Sequence, residues 1–165
     1  MTQAEGAPVQ EFPDGDRLRA YGDFLFLAFR SPHHARMSVA NLRMAIEPPL
    51  THGQYRIFRF DGVARGLFTW AYLSDDAAAG LVAGGTLDPD AWRSGPNLWI
   101  MDLIAPYKGL TSQMVRWIMT PGNFTETEFF YRRVVAGNQT RRIVRIDLRQ
   151  PDDKARVLRD GDFSV

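Results

Sequence analysis

The chain has 165 residues, with 20 basic and 19 acidic side chains and a formal net charge of +1. This length fits one domain, and contents of 45% hydrophobic and 24% charged residues are typical of a soluble globular protein. The balanced charge argues against bulk attraction to nucleic acid or to a membrane surface. The absence of cysteine excludes a disulfide framework, a thiolate zinc site and a cysteine nucleophile.

The first residues show neither a basic segment nor an apolar stretch of the kind found in signal peptides. No apolar run approaches the roughly 20 residues that a membrane-spanning helix needs. We therefore expect a cytoplasmic protein without a transmembrane segment.

The first third of the chain predicts two helices after a flexible lead-in over residues 1–15. Apolar residues at helical spacing predict the first helix from Asp16, as its N-cap, to about Phe29. Ser31-Pro32 ends this helix, because the residue before a proline avoids the helical region. The second helix is expected over about residues 33–47, ended by the two prolines that follow.

The remainder of the chain predicts a mostly antiparallel central sheet. An Asp-Gly pair between two alternating apolar runs indicates a β-hairpin. The expected elements are strands 54–60 and 64–72, a short helix over 74–83, a strand within 98–106, a helix over 110–119, and strands 129–135 and 141–147. We predict an α+β (mixed α/β) domain over residues 16–150 and a charged, loosely held tail over residues 151–165.

Asp102 is the most unusual residue of the chain, because it lies in the otherwise apolar run 98–106. A carboxylate in a buried strand is costly unless a partner compensates its charge. The partner is either one of the many arginines, which is the structural interpretation, or a histidine, which is the catalytic one. Two of the three histidines, His33 and His34, follow Ser31 and Pro32.

His34 is the candidate proton acceptor, since imidazole is the side chain best suited to that role near neutral pH. The spacing alone does not choose between His34 and its neighbour His33. Ser31 either caps a helix or donates a hydrogen bond in the site. With His52 far along the chain and no acidic residue at ligand spacing, the histidines do not form a metal-binding signature.

Two arginine pairs, Arg132-Arg133 and Arg141-Arg142, lie on the two strands predicted for the last hairpin. The plainer interpretation is a solvated strand face. The alternative is a basic face that docks an acidic partner, because guanidinium groups suit carboxylate and phosphate recognition.

Three blocks of the sequence resemble the RTX toxin-activating lysine acyltransferases, the haemolysin-activating family. The first is Ser31-Pro32-His33-His34, where the family shows Ser-Pro-x-His. The second is the Trp-Ala-Tyr-Leu-Ser stretch at residues 70–74. The third spans residues 92–106 and matches the pattern Trp-x-Ser-Gly-x-x-x-Trp-x-x-Asp-x-Ile-Ala-Pro almost throughout.

The resemblance implies a GNAT-like single domain and a cytoplasmic enzyme that is often a homodimer. It implies transfer of a fatty acyl group from acyl-acyl carrier protein to internal lysines of an RTX protoxin, with no tightly bound cofactor and no metal. His34, Asp102 and Ser31 fall on the family's catalytic positions. His34 would act as general base or as transient acyl carrier, with Asp102 orienting its ring.

The chain lacks the loop with which GNAT enzymes bind the pyrophosphate of acetyl-CoA, which favours a carrier-protein donor over free CoA. The arginines Arg132 and Arg133 are the expected carrier dock. Two other functions stay open at this point: a non-catalytic adaptor or chaperone of a secreted protein, and a GNAT-like acetyltransferase for small amines.

Overall fold

The computed structural model describes residues 13–158, in which four helices surround one sheet of six strands. The helices are α1 (Gly15–Ala28), α2 (Val39–His52), α3 (Asp75–Val82) and α4 (Leu110–Met119). The strands are β1 (Tyr55–Phe60), β2 (Val63–Leu73), β3 (Asn97–Ile104), β4 (Glu128–Val135), β5 (Gln139–Asp147) and β6 (Ala155–Leu158). Short 3-10 turns lie at His34–Arg36, Pro89–Trp92 and Ala136–Asn138.

The strands follow one another across the sheet in chain order, from β1 to β6. Every neighbouring pair is antiparallel except β3 and β4, which are parallel and joined by the crossover helix α4. The predicted α+β class with a mostly antiparallel central sheet is confirmed, and the arrangement is consistent with a GNAT-like single domain.

The helices cover the two faces of the sheet unequally. Helices α1 and α2 pack on the β1–β3 end of one face and α3 packs on the same face nearer β5, whereas α4 covers the other face. We call these the three-helix face and the α4 face. None of the helices among residues 13–158 is long and apolar enough to cross a membrane.

The N-cap of helix α1 lies two residues earlier than predicted. This residue is Asp14, whose Oδ1 accepts a hydrogen bond from the backbone N–H of Arg17 at 2.8 Å. Asp16 instead lies in the first turn, where a carboxylate is favoured by the unpaired N–H groups of the helix start. Most of the predicted lead-in, residues 1–12, lies outside the described residues.

The second helix differs from the prediction at both ends. It begins after the N-cap Ser38, and the chain before it forms the 3-10 turn His34–Arg36. Pro48 and Pro49 lie inside the helix and are fully buried, so their packing compensates for the hydrogen bonds that proline cannot donate. The helix ends only at Gly53, whose left-handed φ of 66° suits glycine.

The hairpin predicted at Asp61-Gly62 is confirmed, and both turn residues have positive φ, as a tight two-residue hairpin turn requires. The tail prediction is wrong for residues 155–158, which form β6 and pair with β5 over four residues. Residues 155–158 contain no long apolar run that would indicate a strand. They form one because the edge of β5 offers backbone groups for pairing. Residues 159–165 lie outside the described residues.

Candidate functional site

A β-bulge in β3 sets the direction of the Asp102 side chain. Between the paired residues Phe68–Leu103 and Trp70–Ile100, β2 has one residue and β3 has two. Ile100 and Leu103 both pack on the α4 face, although they are three residues apart and would lie on opposite faces of a regular strand. The extra residue therefore turns Asp102 toward the three-helix face.

Thr69, the single residue of β2 opposite this bulge, completes its hydrogen bonding. Its Oγ1 accepts a hydrogen bond from the backbone N–H of Asp102 at 3.1 Å, and its side chain is wholly buried. A bulge leaves backbone groups outside the regular ladder, so this hydroxyl satisfies a donor that would otherwise lack a partner. Sequence reasoning missed Thr69, because a threonine in a strand carries no signal of such a contact.

His34 lies between Ser31 and Asp102 and contacts both. Its Nε2 is 2.9 Å from Asp102 Oδ1, and its Nδ1 is 2.8 Å from Ser31 Oγ. Since an ionised carboxylate only accepts hydrogen bonds, Nε2 carries the ring hydrogen and donates a hydrogen bond to Asp102 Oδ1. Nδ1 then accepts the hydroxyl hydrogen bond of Ser31. The three predicted catalytic residues thus form one connected chain of hydrogen bonds.

The turn after α1 explains how Ser31 and His34 reach one another. The backbone N–H of Ala35 donates to Ser31 O at 2.9 Å, and this closes a turn that places the side chains of residues 31 and 34 side by side. His34 is buried, with 6% of its surface exposed, whereas His33 is exposed and meets the His34 ring edge-on. The structure therefore places His34, and not His33, against Asp102, a choice that spacing alone left open.

A cavity of about 600 Å³ adjoins the Asp102 end of this chain. Asp102 forms part of its wall, and its side chain is 26% exposed, so the carboxylate reaches both His34 and the cavity. Apolar side chains supply much of the remaining wall: Met37, Met44, Leu81, Leu87, Trp92, Ile100, Met101 and Val134. The space is large enough for an extended apolar group beside a carboxylate.

Gln54 braces the wall of this cavity. Its buried Nε2 donates to Trp70 O and Trp92 O, both at 2.9 Å, and so ties the turn that carries Trp92 to strand β2. Within the described part of the chain the buried indole Nε1 of Trp92 has no hydrogen-bond partner.

Arg132 faces the cavity from β4, and its guanidinium donates hydrogen bonds to Asn138 O, Asn138 Oδ1 and Thr140 Oγ1 at 2.8–3.2 Å. Burial lowers the pKa of Arg132, and the negative charge of Asp102 partly opposes that shift. Arg133 is exposed, and successive strand residues point to opposite faces. The structure therefore separates Arg132 from Arg133, and the two do not form the shared docking face that was predicted.

The ladder between β3 and β4 is short. Only the pairs Trp99–Phe130 and Ile100–Tyr131 form, although both strands continue for four more residues. Ile100, which packs on the α4 face, also lines the cavity on the three-helix face. The cavity thus extends into the gap between the diverging strand ends.

His52 lies apart from the site, with its Nε2 3.0 Å from Pro89 O. No group of three or more histidine, aspartate or glutamate side chains within residues 13–158 is arranged to hold a metal ion.

The sequence profile of the RTX toxin acyltransferase family matches residues 14–147. The chain belongs to this family. The match includes Ser31, His34 and Asp102 and extends to the end of β5, so it covers the hydrogen-bonded chain and the cavity wall together.

The curated proteins that are similar to this family member are named as acyltransferases. The chain is 33% identical over 93 residues to the protein-lysine palmitoyltransferase CyaC of Bordetella bronchiseptica, covering 56% of this chain and 50% of that protein. It is 32% identical over 87 residues to the RTX-II toxin-activating lysine-acyltransferase ApxIIC of Actinobacillus pleuropneumoniae, covering 52% and 54%. The chain spans about half the length of the curated relatives it matches.

Proposed function

We propose that this protein transfers a fatty acyl group from acyl-acyl carrier protein to lysine ε-amines of an RTX protoxin. Family membership and the names of the relatives support the reaction class and the toxin substrate. The observation that carries the proposal is the chain Ser31–His34–Asp102, whose Asp102 end lies in the wall of a cavity with many apolar side chains.

In the proposed reaction His34 Nδ1 accepts a proton, a role that is supported by the hydrogen bond of Nε2–H to Asp102. A lysine amine has a reference pKa of about 10.4 and attacks only after losing its ammonium proton to solvent. The neutral amine nitrogen then attacks the thioester carbonyl carbon, and His34 Nδ1 takes the proton that the nitrogen sheds. The C–S bond breaks, and the departing thiolate receives that proton, which gives an amide and a free thiol.

In the covalent alternative, His34 Nδ1 attacks the thioester carbonyl carbon, the C–S bond breaks, and the departing thiolate takes a proton from solvent. The neutral lysine amine then attacks the acyl group, the bond from this group to Nδ1 breaks, and the amine releases its proton, which gives the amide and the free imidazole. Both routes need Ser31 Oγ to yield its place at Nδ1 to the reacting group. Ser31 then remains within reach of the tetrahedral centre as a hydroxyl donor. Asp102 has one function in both routes: it fixes the ring tautomer and stabilises the charged imidazole.

The cavity supports a fatty acyl group as cargo, since its apolar side chains would cover a hydrocarbon chain that water solvates poorly. A donor tethered to a carrier protein, action in the cytoplasm and a homodimeric state are parts of the same proposal and follow from the family resemblance.

Intact-mass analysis tests the proposal directly. An RTX protoxin incubated with this protein and acyl-acyl carrier protein should gain acyl mass on lysines. The variant His34→Ala should abolish the gain, whereas His52→Ala, a histidine outside the site, should leave it unchanged. An adaptor or chaperone would bind the protoxin without any mass gain and would tolerate His34→Ala. Mass gain from acetyl-CoA alone would indicate a GNAT-like acetyltransferase instead.

A further inference from the structure

A second bulge, in β5, gathers arginines on the α4 face of the last hairpin. Between the pairs Arg133–Arg142 and Val134–Thr140, β4 advances by one residue and β5 by two, so Arg141 is the additional residue. The bulge lies close to the tip of the hairpin, where the 3-10 turn Ala136–Asn138 joins the strands.

Two contacts fix the directions of the side chains around this bulge. Thr140 Oγ1 donates to Val82 O at the end of α3, and Ile143 packs in the cluster under α3, so both point to the three-helix face. They are three residues apart and would alternate in a regular strand. The two residues between them, Arg141 and Arg142, therefore both point to the α4 face.

Arg133 joins them, because it is the direct cross-strand partner of Arg142 and so shares its face. All three arginines are exposed, and none of their side chains makes a hydrogen bond or an ion pair with another described residue. Like charges directly opposite one another on neighbouring strands destabilise a sheet. An anionic surface placed over them would remove that repulsion.

Two exposed valines lie on the same face of the sheet as these arginines. Val135, two residues after Arg133 on β4, is 43% exposed, and Val157 on β6 is 52% exposed. Val157 pairs with Val144, which packs on the α4 face. Exposed valines beside arginines suit a folded acidic protein, which can cover both, better than a nucleic acid backbone. The net charge of only +1 likewise gives no general attraction to polyanions.

The position of this surface relative to the cavity fits a partner that delivers a tethered group. The same hairpin lines the cavity with Val134, Gly137 and Asn138 on its opposite side. No strand pairing joins β3 to β4 beyond Ile100 and Tyr131. A partner on the α4 face would have to pass a slender arm between these strand ends to reach Asp102.

We propose that Arg133, Arg141 and Arg142 form the docking surface for an acidic protein that carries the acyl donor, which rests on the function proposed above. We call it the hairpin arginine surface. Arg132, which the sequence had grouped with Arg133, has no part in it, because its side chain points into the cavity.

Binding of a phosphopantetheinylated bacterial acyl carrier protein tests this surface. The wild-type protein should bind the carrier with an affinity that falls as salt rises. The variant Arg133→Glu/Arg142→Glu should bind at least about tenfold more weakly, with a smaller salt dependence. The control variant Arg19→Glu should bind like the wild type. Arg19 is an exposed arginine of α1, and its Nη2 contacts Gly62 at the opposite edge of the sheet. Equal binding by the double variant, or no binding by the wild type, would overturn the proposal.

Kinetics separate this proposal from the proposed function. The double variant should raise KM about tenfold for acyl-acyl carrier protein and leave kcat/KM unchanged for acyl-pantetheine, which has no protein surface. An equal loss with both donors would overturn the docking surface. Absence of transfer from any donor by the wild type would refute the function, while the binding measurement would still decide the surface. If the charge-reversed variant fails to fold, Arg133→Gln/Arg142→Gln takes its place with a smaller expected loss.

Discussion

Strands β3 and β5 each contain one bulge, and the two bulges direct polar side chains into opposite environments. In β3 the bulge turns Asp102 inward, where Thr69 satisfies its backbone N–H and His34 binds its carboxylate. In β5 the bulge turns Arg141 and Arg142 outward, where no described residue binds them.

The difference shows how one backbone device serves two purposes. An additional residue in a strand shifts the alternation of the side chains that follow it. These side chains therefore lie on the face opposite to the one that a regular strand would give them. When every polar group around the bulge is satisfied within the fold, the arrangement holds a reacting group rigidly. When the groups are unsatisfied and exposed, the arrangement is open to a partner. The following substitutions test this distinction.

The largest expected effect is at the inner bulge. Asp102→Asn keeps the size of the side chain but presents an amide to His34, which disturbs the ring tautomer and removes the stabilising charge. We expect kcat to fall by about 10³–10⁴-fold while the fold persists. The measurement is single-turnover transfer from acyl-acyl carrier protein, with thermal unfolding as the check on folding. A variant with full activity would show that the inner bulge holds no reacting group.

Asp147→Asn is the matched control for this change. Asp147 is also a strand carboxylate, but its partner is Arg149 and it lies outside the cavity wall. Its replacement should leave kcat within about twofold of the wild type, as expected for a surface ion pair.

Thr69→Val should give the next largest effect. Valine has nearly the same shape but no acceptor, so the Asp102 N–H is left without its partner. We expect a loss of about 1–3 kcal/mol in the free energy of unfolding. A roughly ten- to hundredfold fall in kcat should accompany it, because Asp102 is no longer held in position. Chemical denaturation and single-turnover kinetics measure the two quantities.

Thr69→Ser keeps the hydroxyl and should recover most of the activity lost in Thr69→Val. If serine and valine variants lose kcat equally, the hydroxyl does not position Asp102, and the inner bulge is held by packing alone.

The sequence identified the side chains of the candidate site but not the geometry that joins them. Asp102 was conspicuous because a carboxylate in an apolar run demands a partner, and the resemblance connected it to His34. The bulges were invisible, since both β3 and β5 continue to look like strands on either side of one additional residue. The expectation of a face shared by Arg132 and Arg133 failed for a simpler reason, because successive residues of a strand point to opposite faces.

Two other differences have a similar cause, because tertiary packing decided what local preference left open. Pro48 and Pro49 were expected to stop α2, but their burial keeps them within it. Strand β6 forms because β5 offers an edge for pairing. The sequence of residues 155–158 alone does not predict this strand. Periodicity and local sequence signals thus predicted the helices and strands that bury long apolar runs. They missed the features that depend on packing or pairing with another element.

The smallest expected effect is at the outer bulge and concerns stability. Arg142→Thr removes the like charge opposite Arg133 and introduces a residue that favours strands. We expect the free energy of unfolding to rise by roughly 0.2–1 kcal/mol at low salt. The part of the gain that comes from charge should shrink at high salt, because ions screen exposed charges.

Two controls separate repulsion from strand propensity in that measurement. Arg142→Gln removes the charge without introducing a β-branched side chain, so it should keep the salt-dependent part of the gain and lose the rest. Arg133→Thr/Arg142→Thr should gain less than the sum of its single variants, since either change alone already removes the repulsion. Strict additivity would mean that the two arginines do not repel one another, and the outer bulge would then hold no stored repulsion for an acidic partner to relieve.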